Sequence, residues 1–255
     1  MAQKKMSVQE RARQTAARIQ EEERKRTLRN RMIMGGIVTV VLVLVATAVW
    51  YIVGHGKNNN ASSTLKNVRS DYGISIGANS KAGTENKGKP EVAIYYDYLC
   101  SWCNILEKEN GHQLSEMARK GEITLIYHPV IIQSQYPFSP KMVSATYWVA
   151  ENVPERALDF IDAAFDHTKA LFDKEKATVP DDPEIQQIAL NAGLTDAQVK
   201  EMMKAISEGR YTSELEKIME KFQKDGLTGA PSVFVDGKKF GDWRGGKLLD
   251  AVKKK

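Results

Sequence analysis

Cys100-Ser101-Trp102-Cys103 holds both cysteines of this 255-residue chain. Two thiols at that spacing can close a small disulfide and reopen it, and no third cysteine competes. The thiolate is the reactive form, and a free cysteine with a pKa of about 8.5 is mostly protonated at neutral pH. A cysteine at a helix N-terminus meets unpaired backbone N–H groups and the positive end of the helix dipole, and both favour the thiolate. Cys100 would occupy that place at the head of a helix, with Cys103 one turn further in. The two sulfurs are then unequal. Cys100 is the exposed, acidified thiol that attacks or is attacked, and Cys103 the sheltered one that resolves a mixed disulfide.

Two plainer roles for a C-x-x-C fit poorly. A structural zinc site needs four ligands, and the four histidines at 55, 112, 128 and 167 offer no second pair at knuckle spacing. No metal and no other cofactor is expected. A purely structural disulfide closing so short a loop adds little by chain entropy, and apolar residues at 42% supply an ample core without it. Asp97, three residues before Cys100, can tune the pair's acidity or relay protons. An acid at a strand end facing solvent is the plainer reading. Trp102, between the cysteines, can shape substrate contact if it is exposed. His128 reads as a satisfied strand-end residue, and Met202, Met203 and Met219 as core.

The elements that must position the pair follow from periodicity. Residues 91–98 are apolar and aromatic and predict a strand, and 100–120 predicts a helix stopped by Gly121. Residues 122–130 alternate and are β-branched, a second strand. Strand, helix, strand over so short a stretch makes a βαβ unit with parallel strands and a right-handed crossover. Helices are then predicted over 139–151, 154–171, 183–192, 196–207 with Thr195 as N-cap, and 211–225. Asp236-Gly237 between the apolar runs 232–235 and 238–240 is a strong hairpin signal. A terminal helix over 246–254 closes the chain.

Charge and hydropathy divide the rest. Residues 1–31 carry a net charge of +6 out of the overall +5, so the remaining chain sums to −1. Residues 32–53 contain no charged side chain. At about 1.5 Å per residue they reach about 33 Å, enough to cross a hydrocarbon core of about 30 Å. Arg29 and Arg31 before the span and Trp50 and Tyr51 at its end predict a cytoplasmic N-terminus and an extracytoplasmic remainder. Ala46-Thr47-Ala48 fits a signal-peptidase pattern, but the long leader and the apolar run continuing past Ala48 favour a retained anchor. A cytoplasmic flank accounts for the basic tail without nucleic-acid binding. Residues 54–89, rich in Asn, Gly, Ser and Lys, read as an extracytoplasmic linker, with a short edge strand in 68–76.

The pattern resembles the DsbA-like thiol–disulfide oxidoreductases of the thioredoxin superfamily, in their membrane-anchored exported form. The matching pieces are Asp97-Tyr98-Leu99-Cys100-Ser101-Trp102-Cys103 and Gly229-Ala230-Pro231-Ser232-Val233-Phe234-Val235-Asp236-Gly237. The resemblance covers residues 90–255. It implies a thioredoxin-like α/β fold with an inserted helical subdomain over about 139–225, behind a single transmembrane helix. It further implies catalytic Cys100 and Cys103, a cis-Pro231 facing them, and Ala230 offering backbone groups to a substrate peptide. The implied partners are reduced exported proteins and a quinone-linked membrane reoxidant. Ser101-Trp102 departs from the Pro-His of the family's strongest oxidants, so the direction of exchange stays open. A disulfide donor, a membrane-bound reductase or isomerase, and a redox-sensitive client-binding module all fit the residues.

Overall fold

The computed structural model describes residues 65–172 and 180–254. The basic tail, expected to be cytoplasmic, and the expected span over 32–53 lie outside the described residues, as does the linker up to residue 64. Among the described residues no helix is long and apolar enough to cross a membrane.

Five strands form one sheet in the order β1-β3-β2-β4-β5: β1 Ile74–Ile76, β2 Glu91–Tyr96, β3 Thr124–Pro129, β4 Ser232–Val235 and β5 Lys238–Phe240. The β2–β3 pair is parallel, and every other pair is antiparallel. Between β2 and β3 run α1 (Ser101–Leu106), a π-helical turn (Glu107–Gly111) and α2 (His112–Arg119). Then come α3 (Phe138–Asn152), α4 (Ala157–Phe172), α5 (Asp182–Asn191), α6 (Asp196–Ser207) and α7 (Thr212–Lys224), and α8 (Lys247–Lys253) closes the chain.

Side chains alternate across the sheet, so neighbours on β2 serve opposite layers. Tyr96 packs against Tyr127 and against Phe165 of α4, with ring centroids 5.6 and 5.2 Å apart. Tyr95 points the other way. Its ring stacks on His128 at 4.2 Å and meets Phe222 of α7 and Phe234 of β4. His128 is therefore buried rather than at a satisfied edge, its Nδ1 has no hydrogen-bond partner, and burial pulls its pKa down to about 4. Within the helical insertion α3 contacts α4, α6 and α7, and α5 bridges α4 and α6. Thr195 caps α6 as expected, its Oγ1 accepting from the Gln198 N–H while Gln198 Oε1 accepts from the Thr195 N–H.

Three departures from the sequence reading have physical causes. The first strand stops at Tyr96 rather than at 98 because Asp97 turns the chain: its Oδ1 accepts from the Leu99 N–H at 2.9 Å and its carbonyl from the Cys100 N–H at 3.0 Å. The helix after the cysteines is broken by the π-helical turn. A Cβ on Gly111 would lie 1.8 Å from Glu107 Oε1, so only glycine lets that carboxylate fold back over the wider turn.

The third departure is the linker. From residue 65 it belongs to the folded body, and within it Tyr72, Ile74, Ile76 and Ala82 are buried. β1 is the short edge strand expected in 68–76, while the asparagines that look like spacer act as backbone partners. Asn86 Nδ2 donates to the carbonyls of Ala118 and Ile123, and Asn67 Nδ2 to that of Ala150. Buried carbonyls need such donors, which composition alone reads as solvation.

Candidate active site

Cys100 is the N-cap of α1, with φ −86° and ψ 114°. Its backbone is extended while its carbonyl already accepts the first helical bonds, from the N–H groups of Cys103 and Asn104 at 3.0 and 3.1 Å. Its Sγ faces the same free end and accepts from the Cys103 N–H at 3.4 Å. The sulfur thus takes the place a serine or aspartate oxygen usually fills. Both cysteines are free thiols. Cys103 is 1% exposed and Cys100 7%, so Cys100 is less open than the sequence reading expected, while Trp102 between them is 51% exposed.

The second piece of the site comes from far along the chain. The Ala230–Pro231 peptide is cis. It turns the Ala230 carbonyl toward the cysteines, and the Cys100 Sγ–H donates to it at 3.2 Å. β4 begins at the next residue and pairs with β2, with Tyr95 opposite Ser232 and Ile94 opposite Val233. Because Cys100 lies just past the end of β2, that register carries Ala230 and Pro231 to the thiols. Cys100, Cys103, Trp102, Ala230 and Pro231 therefore converge.

The thiols titrate apart. The Cys100 pKa is lowered to about 7, first by its hydrogen bond with the Cys103 thiol and then by the N–H groups of Cys103 and Trp102; burial and the Asp97 charge oppose this. Burial pushes Cys103 well up, and the neighbouring Cys100 sulfur pushes it further.

Asp97 does not face solvent. It is buried, and its carboxylate accepts from Ser139 Oγ and from the N–H groups of Leu99, Ile132 and Gln133 at 2.8–2.9 Å. It ties the end of β2 to the 130–133 loop and to the first turn of α3. Its negative charge raises both thiols, so it works against acidification of the pair. Beside it the Ile131 N–H donates to Met219 Sδ at 3.2 Å, which joins the same loop to α7.

Two supports were not visible in the sequence. Asn104 is buried; its Nδ2 donates to the carbonyls of Tyr98 and Cys100, and its Oδ1 accepts from Thr168 Oγ1 of α4 at 3.1 Å. That amide couples the cysteine turn to the helical insertion. Glu107, one turn past Cys103, accepts from Tyr127 Oη at 3.4 Å and borders a cavity of about 330 Å³ that also reaches Asn104 and Asp162. Burial, with the Asp162 charge behind it, raises the Glu107 carboxyl to about 8. In the sequence, Glu-Lys-Glu after a helical turn looks like a solvated face; only the fold turns Glu107 inward. Among the described residues no cluster of His, Cys, Asp or Glu has the geometry of a metal site.

A family model described as thioredoxin matches residues 81–253. The chain belongs to that family. Solved structures place its fold more finely. MdbA from Actinomyces oris, a thiol-disulfide oxidoreductase, matches with 22% identity over 75% of this chain and 92% of its own, at a TM-score of 0.66. BdbD from Bacillus subtilis matches with 15% identity over 71% and 91%, at 0.58. DsbA from Mycobacterium tuberculosis matches with 21% identity over 71% and 91%, at 0.56. No curated protein matches in sequence. Within the thioredoxin family the fold is DsbA-like.

The Glu107 carboxyl gives a pH prediction with a definite sign. Its folded pKa of about 8 stands above the ordinary 4.5, so the folded state binds more protons between those values and stability falls as pH rises through that window. Glu107→Gln removes the decline. The Tm of the variant should gain on that of the natural protein between pH 5 and pH 8, and parallel Tm curves would contradict the assignment.

Proposed function

We propose that this chain is an extracytoplasmic thiol–disulfide oxidoreductase that donates disulfides to exported proteins through Cys100-Ser101-Trp102-Cys103. The observation that carries the reading is the convergence of a helix-capping Cys100 sulfur with the carbonyl of Ala230, 130 residues away. In the donating direction a substrate thiolate attacks Cys100 Sγ of the closed pair. The S–S bond breaks, its electron pair goes to Cys103 Sγ, and that sulfur takes up a proton. A second substrate thiolate then attacks its partner sulfur in the mixed disulfide and displaces Cys100 as thiolate. The low Cys100 pKa makes it the better leaving group in this last step. Two electrons pass from substrate to protein, and a quinone-linked membrane partner would take them away. Ala230 and Pro231 would align the substrate backbone, and Trp102 would contact its side chains.

The proposed location is the cell membrane, with the basic tail cytoplasmic, residues 32–53 as a single retained span, and the cysteines outside. Its support is the uncharged run, the arginines before it and the aromatic pair at its end. Mass spectrometry of the membrane fraction should find the leader still attached, and a mature chain beginning at Val49 would contradict it.

One observation favours the reverse direction as a second reading. The Cys100 pKa of about 7 lies in the range of thioredoxin, about 7, rather than of the strongest family oxidant, about 3.5. A reductase or isomerase follows if the pair's reduction potential lies near about −270 mV, and a donor if it lies at about −180 mV or above.

Oxidative refolding of reduced ribonuclease tests the exchange itself. Cys100→Ser should fall to the uncatalysed rate, whereas Cys103→Ser, with oxidised glutathione as the oxidant, should accumulate a mixed disulfide at Cys100 that no second cysteine resolves. Full activity in Cys100→Ser would overturn the proposal.

A further inference from the structure

We propose that Arg244 is a specificity residue of this site, a fixed cation beside the cysteines that selects partners carrying an acidic residue next to their reactive cysteine. The inference rests on the exchange reaction proposed above and adds the class of partner. The Arg244 guanidinium lies over the Trp102 ring, 5.5 Å from its centroid, and over the Trp243 ring at 5.6 Å. A cation over an indole face is held by the ring quadrupole. Trp102 stands between Cys100 and Cys103, so the charge sits at the edge of the thiol pair although it lies more than 140 residues later in the chain.

The loop that delivers Arg244 is a built structure. Trp243 is 8% exposed, its carbonyl accepts from Asn110 Nδ2 at 3.3 Å, and the Gly245 N–H donates to Glu109 Oε2 at 3.2 Å. Gly245 and Gly246 take φ of 60° and 79°, a reversal that side-chain-bearing residues resist. Two residues of the π-helical turn thus clamp the loop against the cysteine-bearing helix, with Arg244 held between its anchors. Arg244 itself is exposed.

Its charge is only partly compensated: Asp242 lies within coulombic reach, and Arg244 helps, after Lys247, to hold that carboxyl below its ordinary value. Asp242, two residues back in the loop, is engaged by Lys247, and Glu109 is occupied by the Gly245 N–H. No carboxylate among the described residues forms an ion pair with Arg244. The largest influences on the Cys100 thiolate are its neighbouring thiol, burial, local N–H groups and Asp97, and not Arg244. Exposed and held over Trp102, the cation is open to whatever docks beside the thiols. Trp102 and Ile105, three apart on α1, share a face and are both exposed, so an apolar strip borders the cation. A peptide with a carboxylate beside its cysteine and an apolar residue nearby complements this surface in charge and polarity.

The test measures how fast peptide dithiols, differing only in the residues flanking the first cysteine, reduce the oxidised full-length protein in detergent. Glutamate flanks should react about twofold to fivefold faster than glutamine flanks, the ratio an exposed ion pair supports. Lysine flanks should be slower than glutamine by a similar factor. The order should collapse in Arg244→Gln and at high salt. Titration of the Cys100 thiolate should stay unchanged in Arg244→Gln, which separates recognition from tuning of the sulfur. Equal rates for the three peptides with the natural protein would overturn the inference without any variant, as would the same order in Arg244→Gln. If none of the peptides reduces the protein, the exchange reaction fails and this inference with it.

Discussion

Everything at the site depends on a sulfur standing in for an N-cap oxygen. Helix α1 leaves its first N–H groups without partners, and Cys100 Sγ accepts the one from Cys103. That interaction holds the sulfur at the positive end of the helix, where the Cys103 thiol first and the backbone N–H groups after it lower Cys100, while burial raises Cys103. It requires the chain to turn sharply after β2 and α1 to start at once. The Asp97 turn supplies the first, and the extended backbone of Cys100 supplies the second. Sheet register supplies the rest, since β4 beside β2 carries the Ala230 carbonyl to the same sulfur.

The electrostatics of the site pull in two directions. Backbone N–H groups and the neighbouring thiol lower Cys100, while burial and the buried Asp97 carboxylate raise it. Asp97 occupies that position because it closes four hydrogen bonds that link β2, the 130–133 loop and α3. A carboxylate required for architecture thus limits how acidic the Cys100 sulfur becomes. The balance leaves Cys100 near neutrality, where small changes in surroundings alter its thiolate fraction most.

Features carried by neighbours in sequence were the legible ones. A strand running straight into a C-x-x-C and a helix is local, as is Thr195 before its helix. The Asp236-Gly237 hairpin is local too: φ of 49° and 72° at those residues suits the turn that twisted strands prefer. Contacts closed by tertiary packing were not legible. The edge strand expected in 68–76 is there as Ile74–Ile76, but nothing in the composition of 65–89 shows that its asparagines meet buried carbonyls or that the strand pairs with β3. Asp97 was noticed for its position, yet its burial comes from a loop and a helix more than thirty residues away. Asn104, Glu107 and Arg244 became part of the site only because α4, a π-helical turn and the loop before α8 come together around α1.

The account turns on the inequality of the two thiols, and thiolate absorbance at 240 nm across pH measures it directly on the natural protein and on Cys103→Ser. One thiolate should form with an apparent pKa near 7 in the natural protein, while the second stays protonated well into the alkaline range. In Cys103→Ser the introduced hydroxyl can donate in the lost thiol's place and the backbone N–H groups at the head of α1 remain, so the surviving thiol should still titrate below the ordinary cysteine value. Two thiolates appearing together near about 8.5 would show that the helix N-terminus does not single out Cys100, and would contradict the account at its centre.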